Sequence, residues 1–102
     1  MRFLFKVSIP VEAGNASAKK DGFQVIQKIL EQQKPEAAYF FSECGMRTGI
    51  LILDMKDASE IPSIAEPWFL ALNASIACTP VMLPEDLGKA GPAIQEAVKN
   101  FG

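Results

Sequence analysis

A run of four consecutive aliphatic residues, Ile50–Leu53, constrains the fold of this chain more than any other feature. The run lies within a segment, residues 48–55, that has the length of a β-strand. Successive side chains of a strand point to opposite faces of the sheet, so this strand is apolar on both faces. Such a strand needs cover on both sides. We therefore predict that both faces of its sheet are shielded from water.

Three further segments are predicted to be strands. Residues 2–9 alternate between apolar and more polar side chains, which indicates a strand with one clearly apolar face. Residues 36–44 form a strand that a short glycine-containing hairpin joins to the aliphatic strand. Residues 74–82 form the last strand. Pro80 lies within it and favours an edge position, because proline has no amide hydrogen for the ladder.

A helix is expected between the first two strands, over residues 15–33. Apolar residues recur there at helical spacing, and Asn15 is the expected N-cap because its side chain can accept from the first free amides. Gly22 predicts a bend or a break, since glycine weakens a helix interior by about 1 kcal/mol. Pro35 closes the segment.

A second helix is expected after residue 59, with Ser59 as its N-cap. Pro62 suits the first turn, where its missing amide hydrogen does no harm. Pro67 lies deeper, and we expect a kink near Glu66 because an internal proline removes a hydrogen bond. A last helix is expected over residues 90–101.

The order of these elements is β-α-β-β-α-β followed by a short helix. Right-handed crossovers around a central hairpin give the ferredoxin-like arrangement. We predict one α+β domain over residues 1–102, with a four-stranded antiparallel sheet whose first and third strands are central. Two helices cover only one sheet face, and a large uncovered apolar face is rare in monomers. A homodimer that packs through this sheet face is therefore expected.

Composition excludes several function classes. The chain has 102 residues and no histidine, which excludes a histidine-based triad and a histidine-rich metal site. Its 10 basic and 12 acidic residues leave no broad basic surface for nucleic acid. The segment Arg47–Asp54 also lacks the aromatic side chains of RNA-recognition sheets. No phosphate-binding loop or metal-ligand spacing is present, so no cofactor is predicted.

The ends and the cysteines suggest a cytoplasmic protein. No segment approaches the length of a membrane span, and Lys6 and Ser8 interrupt the N-terminal segment in a way that a secretory signal does not tolerate. The two cysteines, Cys44 and Cys78, suit a reducing compartment. They fall on opposite edge strands, about 14 Å apart. We therefore predict two free thiols, because a disulfide needs Cα atoms within about 7 Å.

Candidate ligand-binding residues are side chains that combine an apolar body with a polar group, or charges near strand ends and the disturbed helix. Arg47 suits a carboxylate, which it can bind through two parallel hydrogen bonds. Tyr39 and Trp68 suit a ligand pocket. Glu43 and Glu66 suit proton transfer. The candidates are Lys6, Tyr39, Glu43, Arg47, Glu66 and Trp68.

Each candidate also has an ordinary structural interpretation. Glu43, Glu66 and Arg47 can be solvated charges, and Glu66 can cap the kinked turn. Tyr39 and Trp68 can be core aromatics, and the remaining candidate, Lys6, can lie at the rim of a dimer contact. Both interpretations remain open from the sequence.

The order of elements, the length and the predicted sheet-face dimer resemble the dimeric α+β barrel superfamily. This group includes cofactor-free monooxygenases, muconolactone isomerase and EthD-like proteins. Three segments are similar to small uncharacterised bacterial proteins: Phe3–Asn15, Ala65–Leu70 and Pro80–Leu87. The characterised enzymes of the superfamily often use histidine, which this chain lacks. The resemblance therefore brings no catalytic residues with it.

Three functions remain open at this point. The first is a small dimeric module that binds a small apolar or aromatic molecule. The second is a cofactor-free monooxygenase or isomerase, in which the pocket supplies orientation and desolvation. The third is a structural or interaction protein without a ligand pocket.

Overall fold

The protein is described by a computed structural model that covers residues Met1–Gly102 and places four strands in one antiparallel sheet. The elements are β1 Arg2–Ile9, α1 Val11–Asp21, α2 Gln24–Gln33, β2 Ala37–Glu43, β3 Met46–Asp54, α3 Ile61–Leu72, β4 Ser75–Pro80, α4 Pro84–Lys89 and α5 Gly91–Phe101. The strand order is β2-β3-β1-β4, with β1 and β3 in the centre. The predicted α+β class is confirmed, and the arrangement is compatible with a ferredoxin-like fold.

The core lies between one face of this sheet and the helices α2 and α3. On β1 the alternate residues Phe5, Val7 and Ile9 are almost completely buried, and Phe5 pairs with the equally buried Leu51 on β3. Trp68 of α3 is fully buried against them. The alternation in the sequence therefore identifies the core face of β1 correctly.

The opposite face of the sheet carries the intervening residues, and we call it the open face. Its register places Lys6 of β1 beside Ile50 of β3, and Ile50 beside Tyr39 of β2. Tyr39 is 67% exposed and Phe41, two residues along β2, is 39% exposed. Large apolar side chains therefore face solvent on the side of the sheet that α2 and α3 leave uncovered.

The expected start of the first helix is wrong by several residues. α1 begins at Val11, directly after Pro10, and the amide of Gly14 donates to the Pro10 carbonyl at 2.9 Å. Pro10 has a φ of −55° and can end the strand and precede the first turn at once. Asn15 therefore lies inside α1 and does not cap it.

The break expected at Gly22 is confirmed, because α1 ends there and α2 begins at Gln24. Gly22 has a φ of 65° and Phe23 a φ of 69°. Both lie in the left-handed region, which glycine enters without steric cost.

The second expected cap is also wrong in its residue. Asp57, and not Ser59, caps the turn: its carboxylate accepts from the Ser59 amide at 2.8 Å, and Glu60 accepts from the Asp57 amide at 3.1 Å. This capping box begins the 3-10 turn Ala58–Glu60 that leads into α3. Pro62 lies in the first turn of α3, as predicted, and α3 continues through Pro67 to Leu72.

The remaining expectations concern the edges of the sheet. β4 is an edge strand and ends at Pro80, which confirms the interpretation of that proline. Cys44, in the β2–β3 hairpin, and Cys78, on β4, are free cysteines. None of the helices combines the length and the apolarity that a bilayer crossing requires.

Candidate functional site

A cleft of about 630 Å³ lies between α2 and the β2–β3 hairpin. Gln33, at the end of α2, helps to hold that helix in place: its amide donates to the Ile64 carbonyl at 2.8 Å and accepts from the Trp68 indole at 3.2 Å. The apolar lining of the cleft includes Ile9, Phe23, Ile26, Leu30 and Phe40.

The ring of Phe40 lies across β3 because its partner there is a glycine. Phe40 pairs with Gly49, and a Cβ atom at Gly49 would lie 2.8 Å from Cε1 of the ring. Any larger residue at position 49 would displace the ring. A flat aromatic wall of the cleft therefore depends on one small residue on the neighbouring strand.

Arg47 lies in the lining of the cleft and is held by uncharged neighbours. One terminal guanidinium nitrogen donates to Oδ1 of Asn15 at 3.1 Å, and the guanidinium carbon lies 5.3 Å from the centre of the Phe23 ring. The side chain also lies close to α1 at Gly14, where a Cβ atom would come within 2.5 Å of the other terminal nitrogen. These contacts orient the guanidinium before any ligand arrives.

The charge of Arg47 has no acidic partner within the protein. The ion pairs of the chain join the N-terminus to Asp54, Arg2 to Glu36, and Lys6 to Glu43. The stacked Phe23 ring and the Asn15 carbonyl oxygen supply only partial negative charge. The cleft therefore combines a largely apolar lining with one exposed guanidinium that has no acidic partner.

Three other candidates of the sequence lie together on the open face. Lys6 forms an ion pair with Glu43 there, and Tyr39 occupies the same face on the far side of Ile50 from Lys6. This group is separated from the cleft by the sheet. It is a polar pair surrounded by exposed aromatic and aliphatic surface.

The last two candidates lie in neither place. Glu66 is exposed on α3, whereas Trp68 is fully buried and donates to Gln33. Neither residue lines the cleft. The structure thus brings Lys6, Tyr39 and Glu43 together, places Arg47 at a separate site, and leaves Glu66 and Trp68 apart.

The apolar partners of Arg47 are not among the candidates that the sequence indicates. Phe23, Ile26 and Leu30 recur at helical spacing and give α2 a second apolar stripe beside the buried Ile29. This second stripe is the feature of the sequence that could have indicated the cleft, because a helix needs only one apolar stripe to pack on a sheet. The approach of Phe40 to α2 depends on tertiary packing and left no local signal.

The groups with shifted pKa values lie outside the cleft. The hydrogen bond from Arg2 to Glu36 raises the pKa of the Arg2 guanidinium above its ordinary value. Burial raises the pKa of the Cys78 thiol. No three acidic or thiol side chains converge in the arrangement that a metal ion needs. The cleft is therefore the place where shape and unpaired charge coincide.

A comparison with protein families places this chain. Residues 1–95 match the model described as Domain of unknown function (DUF3303). The chain belongs to the DUF3303 family. The DUF3303 match includes all four strands, both walls of the cleft and the whole open face. No curated protein matches the sequence.

Proposed function

We propose that this DUF3303 protein binds a small amphipathic carboxylate in the cleft between α2 and β2. The observation that carries the proposal is Arg47, an oriented guanidinium without an acidic partner in a largely apolar cleft. A carboxylate can accept two parallel hydrogen bonds from such a group. An aromatic or aliphatic body would replace water along the apolar walls.

The dimensions of the cleft suit a ligand of modest size. Its volume of about 630 Å³ lies within the range of about 300–1,000 Å³ typical of small-molecule pockets. A phenyl ring on a short chain would contact Phe23 and Phe40 while its carboxylate reached Arg47. We use 4-phenylbutyrate as the probe with these properties.

The experiment is a calorimetric titration of 4-phenylbutyrate into the protein and into Arg47→Gln. We expect saturable binding to the wild-type protein and a Kd about 10- to 100-fold higher for the variant, because a charge-assisted hydrogen-bond pair is lost. The neutral analogue 4-phenylbutyramide has nearly the same shape and should bind the wild-type protein as weakly as the acid binds Arg47→Gln.

Lys28→Gln provides the matched control. Lys28 is exposed on α2 but does not line the cleft, so this variant removes one positive charge near the site without touching it. Its Kd for 4-phenylbutyrate should equal that of the wild-type protein. Equal binding of the acid and the amide, or equal losses in both variants, would contradict the proposal.

The chemistry of the lining favours binding over catalysis. Arg47 is the one side chain of the lining that carries a formal charge. Ser42, Thr48 and Gln27 add neutral hydrogen-bonding groups. This lining supplies charge and shape, whereas a monooxygenase or isomerase mechanism would also need a group that transfers protons at neutral pH.

We further propose that the protein is a homodimer that packs through its open face, as in the dimeric α+β barrel superfamily. The exposure of Tyr39 and Phe41 on that face supports this, as does the aliphatic run Ile50–Leu53, which needs cover on both sides. The ion pair between Lys6 and Glu43 would then lie at or near the dimer contact.

A further inference from the structure

The two C-terminal helices extend away from the sheet, and we call residues 84–101 the arm. The arm leaves the sheet beside the start of β1, where the Val81 amide donates to the Arg2 carbonyl at 3.1 Å. Every residue from Pro92 to Phe101 is exposed. The molecule is 58 Å long and only 29 by 20 Å across. α5 therefore has no packing partner within its own chain.

One side of α5 is nevertheless apolar. Ile94, Val98 and Phe101 recur at helical spacing and are 54%, 62% and 89% exposed. The opposite side carries Gln95, Glu96, Lys99 and Asn100. An amphipathic helix of this kind owes most of its stability to packing of its apolar face. The pattern is that of a helix whose partner lies outside the protomer.

The surface of the protomer is larger than a compact chain of this mass would have. Its radius of gyration is 17.3 Å, against about 13 Å for a compact chain of this length. Its accessible surface is 7024 Å², against about 5,700 Å² for a monomer of 11.1 kDa. The surplus of about 1,300 Å² exceeds the roughly 800 Å² that each partner buries in a standard interface.

The charge of the arm favours a protein partner over an anionic one. Residues 84–101 contain Glu85, Asp86 and Glu96 against Lys89 and Lys99. A helix that binds anionic lipid or nucleic acid has an excess of basic residues on its polar face. The partner is thus another apolar protein surface, and the same chain supplies one in its open face.

We infer that the apolar stripe of α5 packs against the second copy of this chain, so that the two protomers exchange arms. The inference extends the dimer proposed above and depends on it. In a two-fold dimer the arm of each protomer packs against the other protomer. The contact therefore covers the apolar stripe of both arms, which is exposed in the isolated protomer.

The first test is sedimentation of the full-length chain carrying Ile94→Asp or Gln95→Asp. The two changes add the same residue at neighbouring positions, one on the apolar side of α5 and the other on its polar side. We expect the dimer Kd of Ile94→Asp to rise at least about 10-fold and that of Gln95→Asp to stay unchanged. Near-UV circular dichroism should show that both variants keep a native core, since α5 contributes no buried residue.

The second test locates the arm by nuclear magnetic resonance. A spin label is attached through Gln95→Cys in a chain that also carries Cys44→Ser and Cys78→Ala, and this chain is mixed with an unlabelled ¹⁵N chain. Broadening of sheet amides in the ¹⁵N chain would show that the arm reaches the partner. No broadening there, or broadening confined to the spin-labelled chain when that chain carries the ¹⁵N, would overturn the inference.

The two proposals fail in different ways. If the wild-type chain sediments as a monomer, both the dimer and the exchanged arm are wrong. If Ile94→Asp remains as tight a dimer as the wild-type chain and the partner shows no broadening, only the arm exchange is wrong.

Discussion

At the scale of single residues, the conformation of Arg47 depends on what its neighbours lack. Gly14 has no side chain, which leaves room for the guanidinium against α1, and Asn15 then accepts its hydrogen bond. Gly49 likewise has no side chain, which leaves room for the ring of Phe40. The shape of the cleft thus depends on two glycines that are not part of its lining.

Gly14→Ala should weaken ligand binding in the cleft without lowering the stability of the fold. The new methyl group would displace Arg47, because its position lies 2.5 Å from a guanidinium nitrogen. Alanine also stabilises a helix interior by up to about 1 kcal/mol relative to glycine. We expect weaker binding of 4-phenylbutyrate in calorimetry and an unchanged or higher Tm. Unchanged affinity would show that the oriented guanidinium is not needed.

Ser17 in α1 is a buried polar side chain whose hydroxyl has no hydrogen-bond partner. An unsatisfied buried hydroxyl destabilises the native state. Ser17→Ala should therefore raise the free energy of unfolding by about 1 kcal/mol in urea titrations. Ser63→Ala is the control, because the Ser63 hydroxyl already donates to the Glu60 carbonyl at 2.7 Å. A loss of stability in Ser17→Ala would mean that the hydroxyl is bonded after all.

At the scale of elements, the cap of the 3-10 turn that leads into α3 makes stability depend on pH. The Ser59 backbone amide holds the pKa of the Asp57 carboxyl below its ordinary value of 3.8. The folded state therefore binds fewer protons at this site than the unfolded state, so the contribution is complete above about pH 5. It is lost as the pH falls through the folded-state pKa.

Thermal unfolding of Asp57→Ala and Asp57→Asn tests this account of the cap. The Tm of Asp57→Ala should lie below that of the wild-type protein at pH 7, and the gap should narrow as the pH falls below about 4. Asn is also a good cap but does not titrate, so Asp57→Asn should keep most of the Tm at pH 7. A gap for Asp57→Ala that is constant with pH would contradict the assignment.

The elements themselves could be predicted from local pattern, and their ends could not. The alternation in residues 2–9 and the position of Pro80 correctly gave the core face of β1 and an edge strand. The start of α1 was missed because Pro10 serves two elements at once. Ser59 was preferred to Asp57 because either side chain has cap chemistry, and only the tertiary position of the turn decides between them.

The candidate site could likewise be predicted from the sequence only in part. Arg47 could be named as a candidate carboxylate ligand from its chemistry and its place near a hairpin, and the structure places it in the lining of the cleft. The apolar walls could not, because α2 and β2 meet through packing across many residues of sequence. Trp68 shows the converse: its chemistry suited a pocket, but the core buries it completely.

At the scale of the whole molecule, the proposed dimer rests on two exposed apolar surfaces, the open face and the apolar stripe of α5. Tyr39→Asp should raise the dimer Kd by at least about 10-fold in sedimentation, because the new charge would be buried in the contact. Leu70→Asp is the control: Leu70 is 82% exposed on α3, away from the open face, and its variant should sediment like the wild-type protein. A wild-type mass of 11.1 kDa, rather than about twice that, would contradict the dimer.

The most direct test of the central claim is an amide NMR spectrum of the ¹⁵N-labelled protein during titration with 4-phenylbutyrate. The account predicts saturable shifts clustered around the cleft, at Phe23, Phe40 and Arg47, that 4-phenylbutyramide does not reproduce at the same concentration. Shifts that cluster on the open face around Tyr39, or no saturable shifts at all, would contradict it.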